Sequence, residues 1–218
     1  MNLDWRWLDR NTGHLATLVG QHALLAVVPV LVALVVALPL GHLLFRTGRA
    51  AGPLLAVLRV VSSIPALALF VTVPLVLPPH QILDPLNVAV ALTVHGVALL
   101  VRSVVDGLRS VPDPVRQSAS AAGFGWFGRL VRVELPLAMP AVFAGLRVVT
   151  MSNIALVSVA ALVGSGALGQ LFQQAYTTRA FAPLVAGLVL SVALALLADA
   201  VILLVRRGTL PWARGQRA

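Results

Sequence analysis

Apolar residues fall into five long runs along this chain, separated by stretches rich in arginine, proline or glycine. The runs cover residues 22–45, 53–77, 87–105, 137–162 and 181–205. Each is about 20 residues or longer, enough for a helix rising 1.5 Å per residue to cross a hydrocarbon core of roughly 30 Å. Since an isolated strand cannot satisfy its backbone in lipid, the pattern predicts an all-α integral membrane fold with about five transmembrane helices.

The runs also predict how the chain is organised. Residues 1–21 form an N-terminal segment outside the membrane, residues 22–206 the transmembrane domain, and residues 207–218 a tail. Between the third and fourth runs lies a loop, residues 110–135, rich in glycine and alanine. A connection of that length inside a compact protein usually has a function.

Arginines gather at alternate ends of the runs. One side receives Arg46, Arg49, Arg109, Arg116, Arg129, Arg132, Arg206, Arg207, Arg214 and Arg217, and the other receives Arg6, Arg10 and Arg179. Because positively charged connections stay in the cytoplasm, the C-terminus is predicted to be cytoplasmic and the N-terminus outside.

Composition narrows the choice of function. The chain is 59% apolar and only 11% charged, whereas soluble domains are roughly 25% charged. The net charge of +9 therefore reflects membrane topology and not a nucleic-acid partner. Cysteine and lysine are absent, which excludes thiolate metal sites and the lysine-containing phosphate loop. His22, His42 and His95 show no metal-ligand spacing, and no catalytic set is recognisable, so we expect no metal, cofactor or catalytic site.

The long loop carries the most informative motif. From Gln117 to Pro136 it reads QSASAAGFGWFGRLVRVELP. This stretch resembles the permease subunits of ABC importers, whose motif is E-A-A, three residues, Gly, nine residues, Ile, one residue and Leu-Pro. In this chain Gln117, Ser118 and Ala119 occupy the E-A-A positions, Gly123 the glycine, Val133 the isoleucine, and Leu135 and Pro136 match. Glutamine keeps a hydrogen-bonding tip but lacks the family's charge.

The resemblance implies that the loop is a coupling helix which docks on a cytoplasmic ATPase. A helix of small residues at 118–122 is expected to fit a partner groove, followed by a tight turn at Gly123. The residues expected to couple are Gln117, Ser118, Ala119, Ser120, Ala121, Ala122, Gly123, Phe124, Trp126, Phe127, Leu135 and Pro136. A merely solvated loop is the alternative.

Further stretches resemble the osmoprotectant branch of this family, including SIPALAL from Ser63, RSVVDGL from Arg102, AALVGSGALG from Ala160 and LLAD from Leu196. The resemblance implies uptake of glycine betaine, choline, carnitine or proline betaine. The partners it implies are two ATPase subunits that bind ATP and Mg, a second permease copy or paralogue, and an extracytoplasmic solute-binding protein. Methionine or another small solute on the same scaffold, and an ATP-independent secondary transporter, are the alternatives.

Polar residues of the fourth run are candidates for the translocation pathway. They are Ser152, Asn153 and Ser158, with Gly164 and Gly166 at the following break. A buried amide is costly in lipid, so Asn153 is expected to face the pathway or to bond another helix. The glycines either form a flexible break or allow close packing. With Gly169 they fit G-x-G-x-x-G, but no strand precedes them, which argues against a dinucleotide site.

Charged residues inside the runs need partners. Arg147 lies deepest and requires a partner or a cavity that the sequence does not name. Arg59, Arg102 and Asp199 are expected near the cytoplasmic ends of their helices, where charged side chains reach the interface. Arg102 and Asp106, four residues apart, are expected to pair with each other.

Overall fold

The computed structural model describes residues 5–76 and 84–212, and the regular structure of these residues is helical throughout. Nine α-helices follow in these ranges: α1 Trp5–Thr47, α2 Gly52–Ser63, α3 Ala66–Val76, α4 Pro85–Arg109, α5 Asp113–Ala121, α6 Trp126–Arg129, α7 Leu135–Ala160, α8 Gly169–Thr178 and α9 Phe181–Thr209. Short 3-10 turns at Gly48–Ala51 and Ala161–Val163 and a π-helical turn at Leu130–Glu134 join some of them. The ends of the predicted N-terminal segment and tail, with Arg214 and Arg217, lie outside the described residues.

The first helix begins well before the first apolar run. Residues 5–21, predicted as a separate N-terminal segment, continue α1 without a break. Polar side chains here bond back to the helix: Asn11 Nδ2 donates to the Trp7 carbonyl over 2.7 Å, and Thr17 Oγ1 donates to the Gly13 carbonyl over 3.0 Å. Such bonds let a polar stretch remain helical.

The second apolar run forms two helices. α2 and α3 are bent by 112° at Ile64 and Pro65, and Ile64 has the extended ψ of 129°. Proline has no N–H to donate and disfavours a helical residue before it, so the helix ends there. Among the described residues four single helices are long and apolar enough to cross a membrane, or five spans if α2 and α3 together make one. Residue 77, the predicted end of this span, is outside the described residues.

α1 and α4 run parallel and pack through small residues. A Cβ atom on Gly41 would lie 2.6 Å from Val104 Cγ1, and one on Gly96 would lie 3.0 Å from Ala33 Cβ. Residue numbers thus increase in the same direction along both helices. Glycine at these positions lets the backbones approach closely, which drives helix association in lipid.

α7 runs antiparallel to α4. Gly107 near the end of α4 faces Ala138 near the start of α7, and a Cβ on it would lie 2.8 Å from the Ala138 carbonyl oxygen. Further from the end of α4, Gly145 of α7 faces Ser103 of α4. The first half of α9 packs on α8, where a Cβ on Gly187 would lie 3.1 Å from Leu171 Cβ.

These directions place several helix ends together. The last turns of α1 and α4 and the first turn of α7 meet at one end of the bundle, together with α5, α6 and the π-helical turn. We call this the loop end. The last turn of α9, with Arg206 and Arg207, points the same way because the first half of α9 packs beside α8 at the opposite end.

Candidate functional site

The helix predicted at residues 118–122 begins five residues earlier, as α5, Asp113–Ala121. Pro114 lies in its first turn, where the missing N–H of proline costs nothing. Ala119 is the buried residue of α5, whereas Gln117, Ser118 and Ala121 are exposed. The helix therefore packs through one narrow side and presents small and amide side chains outward.

Gly123 ends this helix in a Schellman motif. It has a φ of +83°, the N–H of Phe124 donates to the Ala119 carbonyl over 3.2 Å, and the N–H of Gly123 donates to the Ser120 carbonyl over 3.0 Å. An L-residue rarely adopts such a φ, so glycine is required for conformation, although a Cβ would meet nothing within 4 Å. This turn has the form that the sequence predicts.

Arg116 ties α5 to the ends of α1 and α4. Its guanidinium pairs with Asp113 over 2.7 Å and donates to the carbonyl of Leu108. The same group lies 4.9 Å from the ring centre of Phe45 in α1, a cation–π contact. One side chain thereby fixes the loop to two of the long helices.

Arg129 ties the loop to the start of α7. Its Nε donates to Glu134 Oε1 over 2.7 Å, and its Nη1 donates to Ser120 Oγ over 2.9 Å. Glu134 is only 3% exposed, so the bond to Arg129 replaces contacts with water that its carboxylate lacks when buried. The sequence analysis did not identify Arg116, Arg129 or Glu134 as candidate functional residues. The available signal was Glu134 itself, an acidic residue two positions before Pro136 at the start of an apolar run.

Two aromatic side chains stand out from the loop. Trp126 is 60% exposed and Phe127 is 62% exposed, and their rings meet edge-on with centroids 5.6 Å apart. The guanidinium of Arg46, at the end of α1, lies 5.2 Å from the Trp126 ring centre. Exposed aromatics held in place by neighbours are common at the centre of protein interfaces.

The predicted coupling residues therefore divide into two groups. The exposed ones, which we call the loop face, are Gln117, Ser118, Ser120, Ala121, Ala122, Gly123, Trp126 and Phe127. Ala119, Phe124, Leu135 and Pro136 are buried or half-buried and support it from below.

The predicted pathway residues lie away from this face. Asn153 is fully buried, and its Nδ2 donates to the Ala26 carbonyl of α1 over 3.4 Å. One residue on, the Ile154 carbonyl lies 2.9 Å from His22 Nε2. Interhelical bonding, one of the two roles considered for Asn153, is thus present. Ser152 and Ser158 are half-buried.

Gly164 and Gly166 lie at the break between α7 and α8. Gly164 has a φ of +81° and Gly166 a φ of +72°. The N–H of Ser165 donates to the Ala160 carbonyl over 3.2 Å, closing a second Schellman motif around Gly164. The glycines thus turn the chain out of α7 and into α8.

The sequence matches the family described as the inner membrane component of binding-protein-dependent transport systems over residues 23–210, most of its length. The chain belongs to this family. It is a multi-pass inner membrane protein and a permease subunit of the ABC importer type, as the loop motif predicts.

Relatives of this permease match over nearly their whole length. The osmoprotectant import permease protein OsmW of Salmonella typhimurium is 31% identical over 190 residues, 87% of this chain and 88% of the relative. The glycine betaine/carnitine/choline transport system permease protein OpuCD of Bacillus subtilis is 31% identical over 196 residues, 89% of this chain and 84% of the relative.

Solved structures share its fold. A chain of the inward-facing MetNI methionine ABC transporter superposes with a TM-score of 0.78 at 21% identity, covering 96% of this permease and 99% of that chain. An amino acid ABC transporter chain gives a TM-score of 0.71 at 15% identity, covering 95% and 99%. The predicted all-α importer-permease fold is confirmed.

Proposed function

We propose that this permease forms half of the pore of an ABC importer for a compatible solute such as glycine betaine, choline, carnitine or proline betaine. The 31% identity to OsmW over 190 residues carries this proposal, because the match covers both the loop and the long helices. Methionine is the weaker alternative, since it has the support of a shared fold at 21% identity.

The loop face is the proposed docking surface for the ATPase, which binds ATP and Mg. Two arginines support a mechanical role for it. A push on α5 reaches the ends of α1 and α4 through Arg116, and reaches α7 through Arg129 and Glu134. Closure of the ATPases would thus move helices on both sides of the loop together.

The loop end is proposed to face the cytoplasm, with the N-terminus outside. Eight of the ten arginines that the sequence assigns to the cytoplasm lie on described residues at this end, and Arg6, Arg10 and Arg179 lie at the opposite end. This asymmetry is what the positive-inside rule requires. A second permease copy or paralogue would complete the pore, and a solute-binding protein would dock on the outer end.

A role in the pathway for Ser152, Asn153, Ser158, Gly164 and Gly166 stays a prediction. Because Asn153 is buried between α1 and α7, solute would reach it only when these helices separate. The positive φ angles of Gly164 and Gly166 make the α7–α8 connection a natural pivot for such a movement.

Reconstitution tests the proposal. The permease should co-purify with an ATPase subunit, and proteoliposomes holding the complex and its binding protein should accumulate glycine betaine only with ATP inside. Replacement of Gly123 by tryptophan should abolish uptake without preventing membrane insertion. Uptake driven by an ion gradient with no ATPase present would contradict the coupling role and favour a secondary transporter.

A further inference from the structure

One side of α4 carries charges that the described residues leave unpaired. Arg102 and Asp106 are both exposed, and neither side chain forms a hydrogen bond or ion pair within residues 5–76 and 84–212. The predicted pairing between them is therefore absent. Val101 and Val104, on the other side of the same turns, are fully buried. Both charges thus lie on the side of α4 that this chain does not cover.

An open groove lies beside these two charges, between α4 and α7. Its volume is about 430 Å³. Its walls are Leu99, Arg102, Ser103 and Asp106 of α4 with Ala141, Ala144, Gly145 and Val148 of α7. The small residues of α7 create the space, and Gly145 lets α7 close against Ser103 at the same level.

The groove lies in the second half of α4, toward the loop end. α4 is one of the helices long and apolar enough to span a membrane, and Arg102 lies seven residues before its end, about 10 Å along the axis. Unpaired charges are expensive in hydrocarbon, so water or protein is a more favourable neighbour than lipid for Arg102 and Asp106.

We propose that this groove lines the inner part of the solute path, where Arg102 contacts the anionic end and Asp106 the cationic end of a small zwitterion such as glycine betaine. Side chains four residues apart on a helix have Cβ atoms about 6 Å apart, so the groove offers a positive and a negative group side by side. A molecule with a carboxylate and a quaternary ammonium is complementary to that pair. This inference rests on the proposed import of compatible solutes.

Thiol labelling tests whether the groove is aqueous. The chain has no cysteine, and Ser103→Cys keeps both charges and nearly the same volume. In the complex with its ATPase, without nucleotide, a membrane-impermeant thiol reagent should modify Ser103→Cys about 10-fold or more faster than Val189→Cys, an exposed position on the apolar surface of α9. Equal, slow labelling of both variants would overturn the proposal, because the groove would then be covered.

Uptake of two probes, glycine betaine and choline, tests the charge assignment. Arg102→Gln should lower glycine betaine uptake about 10-fold and choline uptake less than about twofold, since choline has no carboxylate to bind. Asp106→Asn should lower uptake of both. Arg206→Gln, in the last turn of α9 and outside the loop face, is the matched control and should leave both unchanged.

Equal losses of glycine betaine and choline uptake in Arg102→Gln would overturn the charge assignment, because the arginine would then not act on the carboxylate. If the unaltered transporter moves neither probe, the proposed cargo fails, while Ser103→Cys labelling still decides whether the groove lines a path.

Discussion

Arg147 of α7 and Asp199 of α9 form a two-point ion pair, in which the arginine Nε and Nη2 donate to the two carboxylate oxygens over 2.5 and 2.8 Å. The sequence predicts that Arg147 has a partner but does not identify it. It predicts Asp199 at the membrane–water interface and not in an ion pair. The buried residues of α9 are Ala182, Pro183, Ala186 and Gly187, all near its start. Beyond them the ion pair fastens α9 to α7, beside Leu194, Ala195 and Ala198, which are partly buried.

Removal of one member of this pair should loosen α9. Arg147→Leu leaves a carboxylate without its partner in a membrane helix, and Asp199→Leu leaves a guanidinium, so each should lower the thermal unfolding temperature of the permease in detergent. The double variant should recover part of the loss because no lone charge remains. Unchanged unfolding temperatures in both single variants would mean that the pair does not fasten α9.

Gly123→Ala should weaken coupling through strain alone. At a φ of +83° an alanine costs about 1–2 kcal/mol, and no clash adds to it because a Cβ meets nothing within 4 Å. Solute-stimulated ATP hydrolysis by the reconstituted complex should fall. Gly123→Asn is the matched control, since asparagine tolerates this conformation better, and should retain more activity. If both variants behave alike, the left-handed turn is not what matters.

Trp126→Ala should weaken ATPase binding without destabilising the permease. Its side chain is 60% exposed, so the folded chain loses little, whereas an interface aromatic is worth about 2 kcal/mol or more. Affinity for the ATPase, measured in detergent, should fall at least about 10-fold. Tyr176→Ala, which removes an aromatic 88% exposed in α8, should have no effect. A similar loss in both variants would argue against docking through the loop face.

Two acids of the loop should differ sharply in importance. Glu134→Gln replaces a carboxylate that is 3% exposed and bonded to Arg129, and should cost about 1–3 kcal/mol. Asp113→Asn breaks a pair whose aspartate side chain is 80% exposed, and should cost less than about 1 kcal/mol. Denaturation in mild detergent measures both, and an equal loss would show that the burial of Glu134 does not strengthen its contact.

The sequence predicts well what depends on neighbouring residues. The helical character of the apolar runs follows from their hydropathy, and the turn at Gly123 follows from the need for a left-handed residue after α5. The break at Pro65 also has a local cause, because proline lacks an N–H. It was not predicted, because the apolar run is long enough for a single transmembrane helix. The motif did not predict that α5 begins as early as Asp113, because a motif marks positions shared by the family and not the ends of helices.

The sequence by itself determined that this chain is a bundle of apolar helices with one long loop of the importer-permease type, because hydropathy and turn chemistry act over a few residues. Only the tertiary structure decided that Arg147 meets Asp199, 52 residues away, and that Asn153 meets the Ala26 carbonyl, 127 residues away. Such pairings depend on the directions and rotations of packed helices, which small residues such as Gly41, Gly107 and Gly145 set through close contact.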